Sequence, residues 1–480
     1  MKTPDLTVTI GDATRAPNEG HAIVKHLYLA LECDRPSSLS VRFSLADVSR
    51  IEIGRGTARA WDKSPVDGLR IDVPDRHMSS SHATLRREAD GSWVLEDCGS
   101  KNGTLVNGTR TPRAVLDDGD LVELGHTLFL FRGASVKLGE DPEVLDISAS
   151  AKADGVRTLV PSLARQFADV AKLAPSTIPI LILGETGTGK EVVARAIHAL
   201  SGRPGAFVAV NCGALPQNLV ESELFGSRKG AFSGATEDRL GLVRASDTGT
   251  LLLDEIGDLP VVPQAVLLRT LQEGEVLPVG AARPVPVDLR VLSATHHEIE
   301  SLVERKRFRT DLYARLNGFT LRMPALRERV EDLGLLVGTI LERATPPGAA
   351  PVTLSTDAGR ALFDYPWPLN IRELEKCLRS AVVLSGGKPI ELEHLPDSIR
   401  KSPKGHSRGR ASTPSATPSP ASKLRPLRGP DDIEARDLLL SHLKEHNGNI
   451  SAVARAMGKA RMQIHRWIRQ YGIDMDQFRG

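Results

Sequence analysis

Residues 179–200, PILILGETGTGKEVVARAIHAL, predict which type of fold the central part of this chain adopts. Apolar residues 180–183 predict a buried strand, a glycine-rich turn follows, and a helical pattern begins at Lys190. Glycines let main-chain N–H groups face phosphate oxygens, and a helix N-terminus attracts the anion. The alternative is a glycine-rich turn with a surface lysine, but strand, loop and helix occur in the order of a nucleotide site. The residues predicted to surround the nucleotide here are Gly184, Glu185, Thr186, Gly187, Thr188, Gly189, Lys190 and Glu191.

The segment GTLLLDEIGDLP, residues 249–260, supplies the second half of such a site. Its leucines predict a buried strand, and ligands of parallel sheets bind at the carboxyl ends of the strands. Asp254 is therefore predicted to hold Mg²⁺, and Glu255 to orient or deprotonate the attacking water. Two carboxylates that merely cap a strand are the alternative. Their position after a phosphate-binding loop favours an ATPase that uses ATP and Mg²⁺.

A chain of 480 residues is too long for one hydrophobic core, so several domains are expected. Short apolar stretches between turn residues predict an amino-terminal β-sandwich, and strands alternating with helices predict a central α/β domain with a mostly parallel sheet. A basic stretch rich in Pro and Ser then predicts a flexible tether before an all-α domain. The predicted boundaries are 20–133 for the sandwich, 134–155 for a linker, 156–398 for the α/β domain, 399–430 for the tether and 431–480 for the helical domain.

Charge and cysteine usage exclude several classes of protein. The formal net charge of +2 indicates no partner by itself. The 4 scattered cysteines have neither metal-ligand spacing nor the pattern of a disulfide framework. No apolar run approaches the roughly 20 residues that cross a bilayer, and the first residues lack the apolar core of a signal peptide. We expect a cytoplasmic protein with no membrane partner.

The segment KGAFSGA, residues 229–235, has neither a helical nor a strand period. Glycines on both sides of Phe232 allow tight turns, so the segment predicts a hairpin loop with an aromatic ring at its tip. The alternative is an ordinary surface hairpin, which would not need an exposed ring.

Seven motifs of the central region occur in the order found in sigma-54-dependent transcriptional activators, the bacterial enhancer-binding proteins of the AAA+ class. They are GETGTGKE, ESELFG, GAFSGA, GTLLLDEIGDLP, FRTDLYARLN, ALRERVEDL and YPWPLNIRELE. The region that resembles this family covers roughly residues 156–398. The resemblance implies a P-loop ATPase with a helical lid, in which glutamate after the P-loop lysine is usual.

The family also implies roles for residues outside the two nucleotide motifs. Asn211 resembles the residue that restrains the catalytic glutamate, and His296 occupies the position that senses the γ-phosphate. Arg309 and Arg315 resemble the arginines that a subunit presents to its neighbour's nucleotide, and Arg372 resembles the second sensor, contributed by the lid. Arginine suits these roles because its charge is permanent, planar and multidentate. Arginines that act in trans imply a homo-oligomeric ring, by resemblance a hexamer.

By the same resemblance, the hairpin loop reaches out of the ring and grips the sigma-54 RNA polymerase holoenzyme. Ser233 stands where the family usually has Thr, and Leu369 stands where it usually has Gly. The residues predicted to contact sigma-54 are Gly230, Ala231, Phe232, Ser233, Gly234 and Ala235.

The carboxyl-terminal segment, residues 435–473, has apolar residues at helical spacing and resembles the Fis-type helix-turn-helix of many such activators. Family members bind DNA as dimers at upstream, enhancer-type sites, and the N-terminal residues of the last helix lie nearest the bases. The alternative is a small helical dimerisation bundle with a basic face. The residues predicted to face DNA are Arg461, Gln463, His465, Arg466 and Arg469.

The amino-terminal sandwich resembles a forkhead-associated (FHA) domain, which reads phosphothreonine through loops at one end. The resemblance rests on four short motifs: Gly54-Arg55, Ser79 to His82, Ser100 to Thr104, and Val106 to Gly108. It implies that Arg55 and Ser79 hold phosphate, that Asn102 holds the ligand's main chain, and that His82 supports the loops. Ser80 replaces the family's common Arg. A degenerate FHA domain used only as a protein contact is the alternative.

Together these features predict a multidomain activator that binds DNA, hydrolyses ATP as a ring and remodels sigma-54 RNA polymerase, under phosphothreonine control. Two other functions are consistent with the sequence. One is a DNA-bound regulator whose ATPase does not engage sigma-54. The other is a phosphoprotein-binding scaffold with an idle ATPase, which the complete set of nucleotide residues disfavours.

Overall fold

The computed structural model describes residues 23–64, 68–136, 142–146, 156–232, 235–346, 348–401, 441–446, 453 and 456–457. The chain divides into two compact units, residues 1–409 and 410–480. In the second unit, residues 441–445 are helical. Most of the predicted tether lies outside the described residues, and so do all five residues predicted to face DNA: Arg461, Gln463, His465, Arg466 and Arg469.

The amino-terminal part of the first unit is a β-sandwich, as the alternating sequence predicts. Within β5, for example, Leu69, Ile71 and Val73 point inward while the residues between them are partly exposed. One sheet has the strand order β13-β2-β1-β12-β11-β8-β9, and the other has the order β10-β7-β6-β3-β5-β4. The strands are β1 (Ile23–Glu32), β2 (Val41–Ser44), β3 (Arg50–Arg55), β4 (Ala60–Ser64), β5 (Gly68–Val73), β6 (Ala83–Arg87), β7 (Trp93–Asp97), β8 (Thr104–Val106), β9 (Thr109–Arg110), β10 (Arg113–Leu116), β11 (Leu121–Leu124), β12 (Thr127–Val136) and β13 (Val144–Asp146).

Part of the predicted linker, 134–155, belongs to this sandwich. Strand β12 continues to Val136, and β13 pairs antiparallel with β2, with Val144 opposite Phe43. A three-residue strand is too short to show an alternating pattern, so this strand could not be predicted from the sequence. The prediction of a plain linker is wrong for these residues, and residues 137–141 and 147–155 lie outside the described part.

The central part is an α/β domain, as predicted. Five parallel strands have the order β15-β16-β19-β14-β20, so their carboxyl ends share one edge of the sheet. Its elements are α1 (Pro161–Leu173), β14 (Ile180–Leu183), α2 (Lys190–Ser201), β15 (Phe207–Asn211), α3 (Val220–Phe225), α4 (Leu242–Ala245), β16 (Thr250–Asp254), α5 (Val261–Glu273), β17 (Glu275–Val276), β18 (Val285–Pro286), β19 (Arg290–Thr295), α6 (Ile299–Glu304), α7 (Thr310–Leu316) and β20 (Phe319–Arg322).

A helical lid follows the sheet. It comprises α8 (Leu333–Ala344), α9 (Thr356–Asp364), α10 (Asn370–Ser385) and α11 (Asp397–Arg400). Helix α10 buries Leu374, Cys377, Leu378 and Ala381, a helical spacing that turns one face to the core. Among the described residues, no helix combines the length and the apolar character that crossing a bilayer requires.

The sandwich and the lid share one hydrophobic core. In β1, Leu27 and Leu29 point into the sandwich, whereas Tyr28 and Ala30 point outward into a cluster with lid residues. Both faces of this strand are therefore buried. The sequence predicts separate sandwich and ATPase domains. In the structure, one hydrophobic cluster contains residues of both the sandwich and the lid.

Candidate functional site

The glycine-rich loop connects β14 to α2 at the carboxyl edge of the parallel sheet. Gly187 and Gly189 have positive φ angles, +80° and +99°, which glycine adopts without strain. A Cβ atom on Gly187 would lie 2.4 Å from the main-chain oxygen of Leu369 in the lid. Glycine is thus required here both by the turn and by the close approach of the lid.

Lys190, at the start of α2, is only 6 % exposed. Its ammonium donates to the main-chain oxygens of Gly184, at 2.9 Å, and Glu185, at 3.3 Å, and lies 3.5 Å from a carboxylate oxygen of Glu255. A buried cation inside a glycine loop at a helix N-terminus fits the phosphates of a nucleotide.

The two acidic residues at the end of β16 have pKa values that the protein shifts in opposite directions. Burial, together with the neighbouring Glu255 charge, raises the pKa of Asp254. Burial would also raise the pKa of Glu255, but the hydrogen bond from His296 and the charge of Lys190 outweigh it and lower that pKa. Glu255 is therefore kept as a carboxylate, which suits a group that orients or deprotonates water.

The contacts of Glu255 differ from those that the sequence predicted. Nδ1 of His296 lies 2.7 Å from Oε2 of Glu255, so the predicted γ-phosphate sensor binds the glutamate itself. The side chain of Asn211, predicted to restrain Glu255, instead accepts a hydrogen bond from the main-chain N–H of Ala214 at 3.1 Å. In the described structure the side chains that contact Glu255 are those of His296, Lys190 and Thr295, and a restraint by Asn211 stays a prediction.

The two arginines predicted to act on a neighbour's nucleotide lie at the surface, beside and on α7. Arg309 pairs with Asp311 at 2.7 Å, and Arg315 donates to the main-chain oxygen of Leu271 at 2.8 Å. Within the part of the chain that the structure describes, no hydrogen bond or ion pair joins either to the glycine-rich loop. Both guanidinium groups are exposed to other molecules.

The N-terminal end of α10 covers the glycine-rich loop. The main-chain N–H of Ile371 donates to Gly187 at 2.9 Å, and buried Asn370 donates through its side chain to Thr186 O at 3.1 Å. Arg372, the predicted second sensor, follows directly on this helix. Leu369, which replaces the family's glycine, has φ −105° and a side chain 58 % exposed, so this position does not require glycine.

Two further arginines of the motif ALRERVEDL contact the glycine-rich loop, although neither is among the residues predicted to bind nucleotide. Arg327 pairs with both carboxylate oxygens of Glu185, at 2.5 and 2.9 Å, and these hydrogen bonds lower the pKa of Glu185 to about 2. Arg329 is buried and donates to the main-chain oxygen of Thr188 at 2.6 Å. The motif's other charged residues, Glu328, Glu331 and Asp332, are typical of a solvated segment, so only its position next to the lid could have indicated these contacts.

A cavity of about 160 Å³ opens between α2 and the lid helices. Its lining includes Thr188 of the glycine-rich loop and the apolar side chains of Val193, Leu335, Ile340 and Ile371. An apolar slot that continues from a phosphate-binding loop suits the base of a nucleotide.

Residues 229–235 form a loop in the connection between α3 and α4. Lys229 N–H donates to Asp238 at 2.8 Å, and Gly230 N–H donates to the main-chain oxygen of Ala235 at 2.8 Å, which closes the base of the loop. Phe232 is 39 % exposed. Ser233 and Gly234 lie outside the described residues.

The three residues predicted to bind a phosphopeptide meet at one end of the sandwich. Arg55 N–H donates to the main-chain oxygen of Ser79 at 2.9 Å, and the Ser79 hydroxyl accepts from Lys101 N–H at 3.1 Å. Asn102 donates through its side chain to the main-chain oxygen of His77 at 2.7 Å. The loops that carry Arg55, Ser79 and Asn102 are therefore tied together.

His82 is fully buried behind these loops. Its Nδ1 accepts from Ser79 N–H at 3.1 Å, and its Nε2 lies 3.3 Å from the main-chain oxygen of Gly103. Burial lowers its pKa. These contacts are those of a residue that supports the loops.

The position of Ser80, where the family commonly has Arg, is approached by another arginine. Arg70 donates to the main-chain oxygen of Ser80 at 2.7 Å. The same guanidinium lies 3.0 Å from Asp72 and 3.6 Å from Glu52, so much of its charge is already neutralised.

Three parts of the chain match models of known families. Residues 158–322 match the sigma-54 interaction domain, residues 327–412 match an AAA+ ATPase lid domain, and residues 51–125 match the FHA domain. These matches confirm the predicted FHA-like sandwich and the AAA+ ATPase core with its lid.

Regulatory proteins from other bacteria are similar to about two thirds of this chain. The acetoin catabolism regulatory protein of Cupriavidus necator is 46 % identical over 319 residues, which cover 65 % of this chain and 46 % of that protein. The transcriptional regulatory protein ZraR of Salmonella typhimurium is 41 % identical over 319 residues, covering 66 % of this chain and 69 % of ZraR. The crystal structure of NtrX from Brucella abortus in complex with ATP has 29 % identity and a TM-score of 0.47, covering 67 % of this chain and 70 % of that one. The chain thus spans less than half the length of the first of these relatives.

Proposed function

The chain belongs to the sigma-54-dependent transcriptional regulators, and we propose on that premise that it activates transcription by coupling ATP hydrolysis to the opening of promoter DNA by sigma-54 RNA polymerase. The observation that carries this proposal is the exposed Phe232 ring, on a loop of the same domain that holds Lys190 and Glu255. Exposed apolar groups on an otherwise complete ATPase suit contact with another protein. Because the proposed partner is cytoplasmic, we propose the same compartment for this protein.

We assign nucleotide binding to the glycine-rich loop and its lid. Lys190 and the main-chain N–H groups at the start of α2 would bind the phosphates, and the apolar cavity between α2 and the lid would take the base. Asp254 would hold Mg²⁺, an ion that neutralises charge on the phosphoryl group. Arg372 lies on the helix that covers the loop, where it can respond to the bound nucleotide.

Glu255 is the group proposed to orient and deprotonate the attacking water, with His296 fixing its direction. Glu255→Gln in the full-length protein should therefore keep ATP binding and lose at least about 100-fold of the hydrolysis rate. Phosphate release measures this loss. Glu273→Gln is the matched control, because Glu273 is exposed on α5 and forms an ion pair with Arg269. Hydrolysis by Glu255→Gln at the wild-type rate would contradict the assignment.

The exposed arginines Arg309 and Arg315 support a ring in which each subunit completes its neighbour's site. A guanidinium supplied in trans stabilises charge on the transferred phosphoryl group. Sedimentation with a non-hydrolysable ATP analogue should show a hexamer, as in the family. A particle that stays monomeric or dimeric at all concentrations would argue against the ring.

The segment 230–235 is proposed to contact the sigma-54 holoenzyme. Immobilised full-length protein, loaded with a transition-state analogue of ATP hydrolysis, should retain sigma-54 holoenzyme and release holoenzyme that carries another sigma factor. Equal retention of both would show that the contact is not specific for sigma-54.

DNA binding is assigned to the second unit, residues 410–480, through the five polar side chains predicted on its last helix. Genome-wide occupancy of the protein should coincide with sites upstream of sigma-54 promoters. Occupancy unrelated to those promoters would favour a regulator that does not act through sigma-54.

Phosphothreonine recognition is assigned to the loops of the sandwich, where Arg55, Ser79 and Asn102 meet. An arginine with neutral hydrogen-bond donors around it is the usual arrangement for a phosphate group. The full-length protein should bind members of a phosphothreonine peptide library more tightly than their unphosphorylated twins. If no phosphopeptide is preferred, the domain is a degenerate one used for protein contact alone.

A further inference from the structure

The outer face of the seven-stranded sheet is built to receive the lid helices. Gly334 and Gly338 lie inside α8, although glycine inside a helix costs about 1 kcal/mol relative to alanine. A Cβ atom on Gly334 would lie 1.7 Å from the main-chain oxygen of Ala30, and one on Gly338 would lie 2.3 Å from that of Pro36. Helix α8 therefore has glycine at the two positions where the main chain of the sandwich leaves no room for a Cβ atom.

Polar contacts reinforce this packing. Arg360 on α9 forms two hydrogen bonds with buried Glu123 of β11, at 2.5 and 2.9 Å. Glu331, just before α8, lies 2.7 Å from Nε of Arg132 in β12. An ion pair that excludes water fixes the relative position of its elements, because separating them would leave a buried charge without its partner.

A chain of hydrogen bonds connects the phosphopeptide loops to this interface. Asn102 donates to the main-chain oxygen of His77, whose own N–H donates to the carboxylate of Asp75 at 2.8 Å. The other oxygen of Asp75 accepts from His126 N–H at 2.7 Å. Cys33 N–H then donates to the main-chain oxygen of His126 at 2.9 Å.

The next hydrogen bond in this series reaches the segment before the lid helix α9. The main-chain oxygen of Cys33 accepts from Leu354 N–H at 2.8 Å, immediately before α9. Asp75 is buried, so the two loops that meet at its carboxylate cannot move independently without losing hydrogen bonds away from water.

A second set of contacts continues from the sandwich to the nucleotide loop. Arg42 of β2 donates to the main-chain oxygen of Leu159 at 3.0 Å, and Leu159 N–H donates to buried Asp332 at 2.7 Å. The N–H of Asp332 donates to the main-chain oxygen of Arg329, and Arg329 donates to Thr188 in the glycine-rich loop.

We propose that the sandwich and the lid act as one body, so that a ligand on the phosphopeptide loops and a nucleotide on the glycine-rich loop change each other's affinity. The part of this proposal that concerns the ligand rests on the proposed phosphothreonine recognition. A shift of the sandwich must move the lid, and the nucleotide loop is contacted by Asn370 of the lid and by Arg329 just before it. Linkage requires that the two effects have the same size.

The experiment uses the full-length protein and the phosphothreonine peptide that it selects from a library, with the unphosphorylated twin as blank. The Kd of the peptide is measured with and without a non-hydrolysable ATP analogue, and the Kd of the analogue with and without saturating peptide. Each Kd should change by at least about fivefold, and by the same factor in both directions. A peptide that binds equally well with and without the nucleotide overturns the proposal while phosphothreonine recognition stands.

Variants at the contact between the sandwich and the lid test whether this contact couples the two ligand affinities. Arg360→Met removes the contact with Glu123 and should abolish the mutual dependence, whereas Arg400→Met removes only an exposed ion pair with Asp397 on α11 and should preserve it. Gly359→Cys offers a second route, because a Cβ atom there would lie 3.0 Å from Sγ of Cys33, close enough for a disulfide. If the sandwich and lid act as one body, the oxidised form keeps the mutual dependence, and its loss on oxidation would contradict that.

If no phosphopeptide binds, the nucleotide affinities of the variants test the link between the sandwich and the nucleotide loop. That result would refute phosphothreonine recognition, yet Arg360→Met should still bind the ATP analogue at least about fivefold more weakly than Arg400→Met. Equal affinities of the two variants would overturn the proposed link between sandwich and nucleotide loop as well.

Discussion

Nη2 of Arg329 lies 2.6 Å from the main-chain oxygen of Thr188. Arg329 is only 5 % exposed, so a buried arginine is hydrogen-bonded to the glycine-rich loop. Arg329 precedes the lid, and three residues later Asp332 is hydrogen-bonded to Leu159. The nucleotide loop, the lid and the segment that follows the sandwich are thus joined through a few buried residues.

Arg329→Met should weaken nucleotide binding by at least about tenfold, because a buried charge-assisted hydrogen bond contributes more than an exposed one. Arg327→Met is the matched control, since its partially exposed pair with Glu185 should contribute little. Fluorescence titration with a nucleotide analogue measures both, and thermal unfolding checks that each variant is folded. A larger loss in Arg327→Met than in Arg329→Met would refute the role given to Arg329.

The pH dependence of hydrolysis should change in His296→Ala. The hydrogen bond from His296 lowers the pKa of Glu255 against the opposing effect of burial. Without this donor the pKa rises, Glu255 becomes protonated at a higher pH, and the acid limb of the kcat/KM profile should move to higher pH. His297→Ala, which removes a contact with Asp258 instead, should leave the limb in place. An acid limb that stays fixed in His296→Ala would be inconsistent with this pairing.

Arg55→Ala should weaken binding of a selected phosphothreonine peptide by at least about tenfold, since the phosphate carries nearly two negative charges and loses its cationic partner. Arg70→Ala provides the comparison, because Arg70 is already paired with Asp72 and Glu52. Fluorescence anisotropy on full-length protein distinguishes them. Loss of binding in Arg70→Ala alone would mean that Arg70 replaces the arginine missing at Ser80.

Gly334→Ala should lower the midpoint of thermal unfolding, although alanine normally stabilises a helix relative to glycine. The new Cβ atom would overlap the main-chain oxygen of Ala30, which cannot yield without moving β1. At Gly359 the nearest atoms are the side-chain ends of Cys33 and Leu128, so Gly359→Ala should have a smaller effect. A higher midpoint in Gly334→Ala would mean that sandwich and lid are not packed as described.

The sequence predicted the parallel sheet and the glycine-rich loop because strand, loop and helix are adjacent in the chain. It did not predict the shared core, which joins β1 to helices about 300 residues later. The run LYLALEC, residues 27–33, carried a signal, because nearly continuous apolar residues are typical of a strand buried on both faces. Arg329 and Asp332 were missed for another reason: charged residues in a short motif resemble a solvated surface, and only tertiary packing buries them.

The central claim is that ATP hydrolysis in this chain opens promoter DNA through the loop that carries Phe232. Its most direct test measures ATP hydrolysis and heparin-resistant open complexes in one reaction with sigma-54 holoenzyme and a sigma-54 promoter. The wild-type protein should form open complexes only with hydrolysable ATP, Ser233→Thr should do the same, and Phe232→Ala should hydrolyse ATP at close to the wild-type rate but form none. If Phe232→Ala loses both activities together, or if the wild type hydrolyses ATP without forming open complexes, the claim is contradicted.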